Sequence, residues 1–316
     1  MLLSRAADGL YWIARYLERA EHTARLIEVG LDLGLGRTNA GTRGAADRLY
    51  TSLGISSAAA AERGPLVAAA MFDLANRSSV AACVTAAREN GRQVREEISS
   101  DMWEQLNALF LAVRHLHSNA ERDARPASLC RTVIAGIHLF QGITDATMGH
   151  AEGWQFLQAG RFIERAAVTA ALLDRFVSDG ATQADGRLES IDWVALLRAC
   201  SALEAYCRHY TADVRPERVA EFLLLSADFP RSVRFAAAQL ESSLQALGHA
   251  SGRGAGGRAG RLVGRLHASL DYGQVDEILS DDPHGYLADI GRQCTLIHAA
   301  LYQSYIAYPI ESAIPA

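Results

Sequence analysis

The 316-residue chain reads as an all-α protein, a multi-helix bundle grown by internal duplication with an approximate two-fold. Three observations lead there. Apolar residues recur at helical spacing along most of the chain and nowhere sustain a two-residue alternation. Alanine and leucine are abundant while prolines number only seven, a mixture that favours helices because Ala and Leu lose little entropy in them and Pro breaks them. An Arg-x-x-Glu-Arg segment also occurs twice, at Arg15 and at Arg161.

The elements follow in order. Leu10, Ile13, Ala14, Leu17, Ala20, Ala24 and Ile27 mark a first helix over 10–28. Trp12, Tyr16, Thr23 and Leu26 fill its other sides, so it is apolar nearly all round and belongs inside the bundle. A Gly-rich polar loop is expected over 30–44, then short helices at 45–53 and 57–72. Asn76 to Ser79 offers caps for a helix through Val80, Val84, Ala87, Val94 and Ile98. Asp101 with Glu104 resembles a capping box, opening a helix through Trp103, Leu106, Phe110 and Val113.

Ser128 starts a helix that runs to Met148, apolar on most sides except at His138, Gln141, Thr144 and Asp145. The second Arg-x-x-Glu-Arg helix spans 154–177, and a single helix is expected over 191–210. Pro216 and Pro230 suit first helical positions, opening stretches through Phe222 and through Phe235 to Leu247. Six glycines between Gly248 and Gly260 predict a mobile loop, followed by a short helix over 261–270. Asp282-Pro283, a cap plus a first-turn proline, starts a last helix through Ile290, Ile297, Leu301 and Tyr305.

Composition narrows the function. A formal charge of −5, with arginines interleaved among acids, gives no electrostatic reason for a nucleic acid or an anionic membrane as partner. Five scattered cysteines, none in C-x-x-C spacing, argue against a zinc or disulfide framework and fit a reducing cytoplasm. The opening residues lack a secretory pattern, and no apolar run is long enough to span a bilayer; a soluble, cytoplasmic protein is expected. No Glu-x-x-His, His-Glu-x-x-His, Gly-x-x-x-x-Gly-Lys or Gly-x-Ser-x-Gly occurs, so neither a metal nor a cofactor is expected. Asp281-Asp282 resembles an aspartate-rich metal motif, but Gly285 stands where a further Asp belongs.

The repeat is ungapped. Arg15, Glu18, Arg19, Ala20, Thr23, Ala24 and Leu26 align with Arg161, Glu164, Arg165, Ala166, Thr169, Ala170 and Leu172 at a constant offset, 161 − 15 = 146. Tyr16 stands against Phe162 and Leu17 against Ile163. Duplication accounts for charged and apolar positions matching together, which divides the chain into repeats 1–146 and 147–316 packed as one unit.

These residues, with Ala87 to Asn90, Arg95 to Ser99, Met102 to Glu104, Gly142 to Met148, Gly153-Trp154, Ser201 to Tyr206, Val219 to Leu223 and Phe229 to Val233, resemble the alpha-E family, bacterial all-helical proteins with a duplicated Glu-Arg motif. The resemblance covers nearly the whole chain. It implies partners: a circularly permuted ATP-grasp ligase, a transglutaminase-like protein and a peptidase of the N-terminal-nucleophile class, a set read as a peptide synthesis or modification system. It implies no reaction for the helical member itself.

Candidate site residues fall on the repeated helices. Arg15 and Glu18, and Glu18 and His22, share a helix face, and Arg161 can meet Glu164 likewise. One reading is structural: Arg and Glu of the two repeats cross-pair and set helix register, since a buried carboxylate needs a partner. The other is that Arg15, Arg19, Arg161 and Arg165 grip a carboxylate or phosphate. Gln141 and Asp145, with His138, form a polar stripe that is either a pocket lining or a satisfied core network. Two functions follow: an accessory or substrate-presenting component of an ATP-grasp amide-ligase system, or an enzyme of that system using the Glu-Arg helices for acid–base or anion-binding work. Either is compatible with a homo-oligomer.

Overall fold

The computed structural model describes residues 2–35, 40–53, 63–118, 126–182, 190–250 and 257–307. Fourteen α-helices and no strand occur among the described residues. In chain order they are α1 (Ser4–Leu35), α2 (Ala40–Ser52), α3 (Arg63–Phe72), α4 (Val80–Gln93), α5 (Ser100–Ser118), α6 (Pro126–Thr147) and α7 (Glu152–Thr182). Then follow α8 (Ser190–Ala199), α9 (Leu203–Tyr210), α10 (Pro216–Leu225), α11 (Val233–Ala250), α12 (Gly257–Asp271), α13 (Val275–Ser280) and α14 (Pro283–Leu301). None of them is long and apolar enough to cross a membrane.

Two helices form the centre. No residue of α1 from Ala6 to Leu33 is exposed, and none of α7 from Gly153 to Ala170. That burial is what a helix apolar on nearly every side requires. The two pack on each other more extensively than any other pair; α4 and α6 flank α1, while α11 and α14 flank α7. Helices of both expected repeats thereby contribute to one hydrophobic core.

α1 and α7 run parallel. The Leu2 amide donates to Glu152 at one end, and Arg165 reaches Glu18 further along. Between these contacts the backbones nearly touch: a Cβ on Gly160 would overlap the Tyr11 carbonyl oxygen and crowd Ala14. Ala14 and Gly160 stand at the same offset as the two Arg-x-x-Glu-Arg segments, 160 − 14 = 146, so a small residue just before each segment lies at the closest approach.

Several local expectations are corrected. The loop expected over 30–44 is mostly helix: α1 continues through Leu35 and α2 begins at Ala40, with 36–39 outside the described residues. Gly30 lies against the Tyr50 ring, where a side chain would collide, so it serves packing rather than breaking the helix. Of the helix expected over 57–72, only 63–72 lies within the described residues and is helical. α4 ends at Gln93 and a 3₁₀ turn takes Arg95–Glu97. Asp101 sits inside the first turn of α5; the cap is Ser99, whose hydroxyl accepts from the Met102 amide at 3.1 Å. α6 begins at Pro126 and is one-sided, its Ala135, Leu139 and Ala146 exposed with Asp145; apolar residues on the solvent face gave it a buried look.

The helix expected over 191–210 is two helices. Ser201 takes the left-handed conformation (φ 51°), while the Ala202 amide bonds Leu197 O and the Ser201 amide bonds Arg198 O. This is a Schellman cap, normally announced by glycine, here built on serine. Pro230 precedes α11, which Ser232 caps by accepting from the Phe235 amide at 3.0 Å. α11 runs to Ala250 and α12 starts at Gly257, so of the Gly248–Gly260 stretch residues 251–256 lie outside the described residues. α13 was not foreseen. Pro216 and the Asp282-Pro283 start do open α10 and α14, Asp282 accepting from the Gly285 amide at 2.8 Å.

Gly160→Ala is expected to destabilise the fold by about 1–3 kcal/mol, because backbone rather than a mobile side chain blocks the new methyl. Urea denaturation measures it; an unchanged midpoint would mean the two helices do not approach so closely.

Candidate functional site

The Arg-x-x-Glu-Arg segments meet where α1 crosses α7. Arg165 grips Glu18 with two parallel bonds, Nε to Oε1 at 2.7 Å and Nη2 to Oε2 at 2.8 Å. Its remaining Nη1 donates to the Pro230 carbonyl at 3.0 Å. In the reverse direction, Glu164 accepts from Arg19 Nε at 2.6 Å and Arg15 Nε at 2.7 Å. Arg19–Glu164 and Arg165–Glu18 are reciprocal, since 19 + 146 = 165 and 18 + 146 = 164.

The reciprocity stops at the next pair. Arg161, the counterpart of Arg15, leaves its buried Nε without a hydrogen-bond partner. Its place at Glu18 is taken by Arg231, which bonds Glu18 Oε1 at 3.4 Å and also Glu21 Oε1. Glu21 Oε1 further accepts from Arg25 Nη2 at 2.8 Å and lies 2.8 Å from His138 Nε2. Arg161 instead borders a void of about 20 Å³ with Gln141, Thr144 and Gln158, enough for a single water. Asp145 is exposed on α6 and forms no ion pair with Arg161, though its charge acts on that guanidinium. The stripe is thus divided: Gln141 and Thr144 line this water-sized void, while His138 meets Glu21 and Arg25 and Asp145 faces solvent.

The electrostatics follow from burial. Desolvation alone would raise the Glu18 carboxyl, but the Arg165 and Arg231 guanidiniums outweigh it and hold it below its usual value. Glu21 behaves alike and lies well below, with Arg231 the chief counterweight to burial. His22 is almost fully buried; desolvation, aided by Arg231, lowers it to about 4, so it stays neutral. Desolvation and the Arg165 charge lower Arg161 to about 10.

One part of this region reaches solvent. On α1, Asp8, Trp12, Arg15, Tyr16 and Arg19 are half-buried and share a face at three- and four-residue spacing. His298 of α14 and Tyr302, in the π-helical turn Tyr302–Ile306, border them. The Arg15 guanidinium lies 4.7 Å from the Trp12 ring centre. In the second repeat the matching arginine is enclosed: Arg165 is 2% exposed against 22% for Arg19.

Sequence reasoning found Arg15, Glu18, Arg19, His22, Arg161, Glu164 and Arg165 but passed over Glu21, Arg25, Arg231 and His298. Glu21 was findable, because it follows Glu18 by one turn on a helix with no polar face. Arg231 and His298 come from distant helices and carry no local signal. Arg48 and Asp192 form a further buried pair at 2.5 Å that joins α2 to α8. A larger cleft of about 610 Å³ lies elsewhere, walled by Tyr210, Glu221, Asp228, Arg234, Asp271 and Asp276. No group of three or more His, Cys, Asp or Glu among the described residues could hold a metal ion.

A family model described as "Alpha-E: a predicted alpha-helical domain with a conserved ER motif" matches residues 2–306. The chain belongs to the Alpha-E family. It is 27% identical over 319 aligned residues to proteins of Mycobacterium bovis and Mycobacterium tuberculosis, each named an uncharacterized protein. The match takes in 94% of this chain but 35% of those relatives, so the chain spans about a third of their length. No solved structure matches.

Glu18→Ala and Arg165→Ala are each expected to cost about 3–5 kcal/mol, the penalty of orphaning a buried charge; chemical denaturation would refute this if both variants matched the parent. His22 supplies a pH test. Its folded pKa, about 4, lies below its ordinary 6.5, so the unfolded chain binds the proton first and stability falls as pH drops from 6.5 towards 4. The loss should reach roughly 3 kcal/mol, with half-buried His298, also lowered, adding in the same sense. Glu18 and Glu21, both lowered from 4.5, add stability that is present above that ordinary value and begins to be lost as pH falls through it, so the His22 effect is read between pH 6.5 and about 5. Denaturation curves across this window should be flatter for His22→Gln, and an equal slope would show that His22 protonates freely in the fold.

Proposed function

We propose that this member of the Alpha-E family is a non-catalytic, substrate-presenting component of a peptide synthesis or modification system, working beside a circularly permuted ATP-grasp amide ligase and a transglutaminase-like protein. The observation that carries the reading is that the glutamates of the Glu-Arg helices are buried and engaged. Glu18 and Glu21 are 0% exposed and Glu164 is 3% exposed. A general acid or base needs a reachable lone pair or proton and a pKa near the working pH. Arginines instead hold Glu18 below its usual value and Glu21 well below it.

Four of the five thiols offer no substitute. Burial pushes Cys83, Cys130 and Cys294 up to about 12 and Cys200 to about 11, which keeps them protonated and unreactive. The enzyme reading, in which these helices perform acid–base work, thus finds little support. Activation of a carboxylate for amide formation is assigned to the ligase, because no Gly-x-x-x-x-Gly-Lys motif occurs in this sequence. Relatives in which the matched segment is 35% of a longer chain suit a unit that acts next to other machinery.

The purified chain is expected neither to bind nor to hydrolyse ATP, and to co-elute with a circularly permuted ATP-grasp protein of its host on size-exclusion chromatography. Calorimetry with ATP–magnesium tests the first part. Tight ATP binding, or failure to co-elute with any such ligase, counts against the proposal.

A further inference from the structure

The half-open face of α1 presents hydrogen-bond donors over an aromatic floor. Glu164 is one carboxylate shared by two guanidiniums, and it takes only their Nε atoms. The terminal amino groups of Arg19 make no hydrogen bond to any described residue, while Arg15 approaches His298 Nδ1 with Nη1 at 3.5 Å. The Tyr11 hydroxyl lies 2.9 Å from the same Nδ1. A guanidinium can only donate, so Nδ1 accepts, Tyr11 donates, and the imidazole proton sits on Nε2. Desolvation and the Arg15 charge lower the His298 pKa, which keeps this tautomer neutral. The Tyr11 ring stacks on His298 with planes 7° apart, and Trp12 meets it edge-on. Trp12 and Tyr16 lie 5.2 Å apart along the same face.

We propose that Arg15, Arg19 and the Nε2–H of His298 bind the carboxylate of a peptide, with Trp12, Tyr16 and Tyr302 receiving its apolar side chain. This rests on the substrate-presenting reading and names what is presented. The charge count selects a monoanion. At Arg15 and Arg19 two guanidiniums against Glu164 leave one positive charge in local surplus, while Asp8, about 10 Å along the helix from Arg15 and bonded to the Tyr302 hydroxyl at 2.7 Å, brings the whole face to neutrality and opposes a second negative charge. A phosphate dianion fits this balance poorly. Arginine forks match a planar carboxylate, and a neutral imidazole donor adds directionality without further charge. The second Arg-x-x-Glu-Arg segment cannot take the same ligand, because Arg165 is spent on Glu18 and Pro230 and the space beside Arg161 is no larger than a water.

The test is calorimetry on the full chain with N-acetyl-Ala-Phe bearing a free carboxylate, its C-terminal amide, and inorganic phosphate. The acid should bind at least about tenfold more tightly than the amide or phosphate. Arg19→Gln and His298→Phe should each weaken the acid about tenfold, with thermal melts recorded for both. His298→Phe removes the donor, keeps a stacked ring and touches no ion pair, so it decides alone if Arg19→Gln fails to fold. Equal binding of acid and amide, no binding of the acid, tighter binding of phosphate, or undiminished binding by the folded variants overturns the site. Loss of ligase co-elution with carboxylate binding intact would overturn the partner reading instead.

Discussion

Two carboxylates buried at one helix crossing, each answered by arginine from the opposite helix, are the constraint on which the rest of this molecule depends. Removing a carboxylate from water costs several kcal/mol, and Glu18 and Glu164 recover it only while α1 and α7 stay parallel at one register. A shift of one residue would break Arg165–Glu18 and Arg19–Glu164 together. The same register brings Ala14 and Gly160 to the point of closest approach, which lets the backbones come near enough for the short ion pairs. Apolar burial supplies the driving force for collapse, but it is tolerant of sliding; the charges are not. The flanking helices then pack on a central pair whose alignment is already decided.

The crossing also makes the two Arg-x-x-Glu-Arg segments unequal. Around Arg165, the chain brings in Pro230 and Arg231 and closes the site. Around Arg15 and Arg19, one carboxylate serves two guanidiniums, and α14 contributes His298 at the margin instead of a lid. The result is one pair of arginines committed to structure and one held in place by Glu164 yet still half-open. A duplicated motif can thus keep its structural role in both copies while only one copy faces solvent. The burial that makes the motif stable also leaves Glu18 and Glu21 paired with arginines and below their usual pKa.

Much of the fold was legible in the sequence. The all-round apolarity of α1 and α7 marked them as interior, and the constant offset of 146 singled out the charged residues that meet. Proline and aspartate signals placed the starts of α10 and α14. What escaped has physical causes. Ser201 builds a left-handed cap without glycine, so nothing local announced the break between α8 and α9. Gly30 is a packing glycine in a continuous helix, and glycine composition cannot distinguish that from a loop. α6 looked buried because alanine and leucine occupy its exposed face. Arg231 and His298 complete the cluster from far along the chain, where only the three-dimensional arrangement reveals their targets. The unequal exposure of Arg19 and Arg165 was likewise invisible, because it depends on which distant segment covers each.

The most direct measurement of the register claim is a double-mutant cycle across the crossing, combining Glu18→Gln with Arg165→Met and measuring unfolding free energies for all four proteins. If the pair locks α1 to α7, the two substitutions are strongly non-additive, with a coupling energy of about 2 kcal/mol or more. Additivity within about 0.5 kcal/mol would contradict the account, because the helices would then hold their alignment without the ion pair between them.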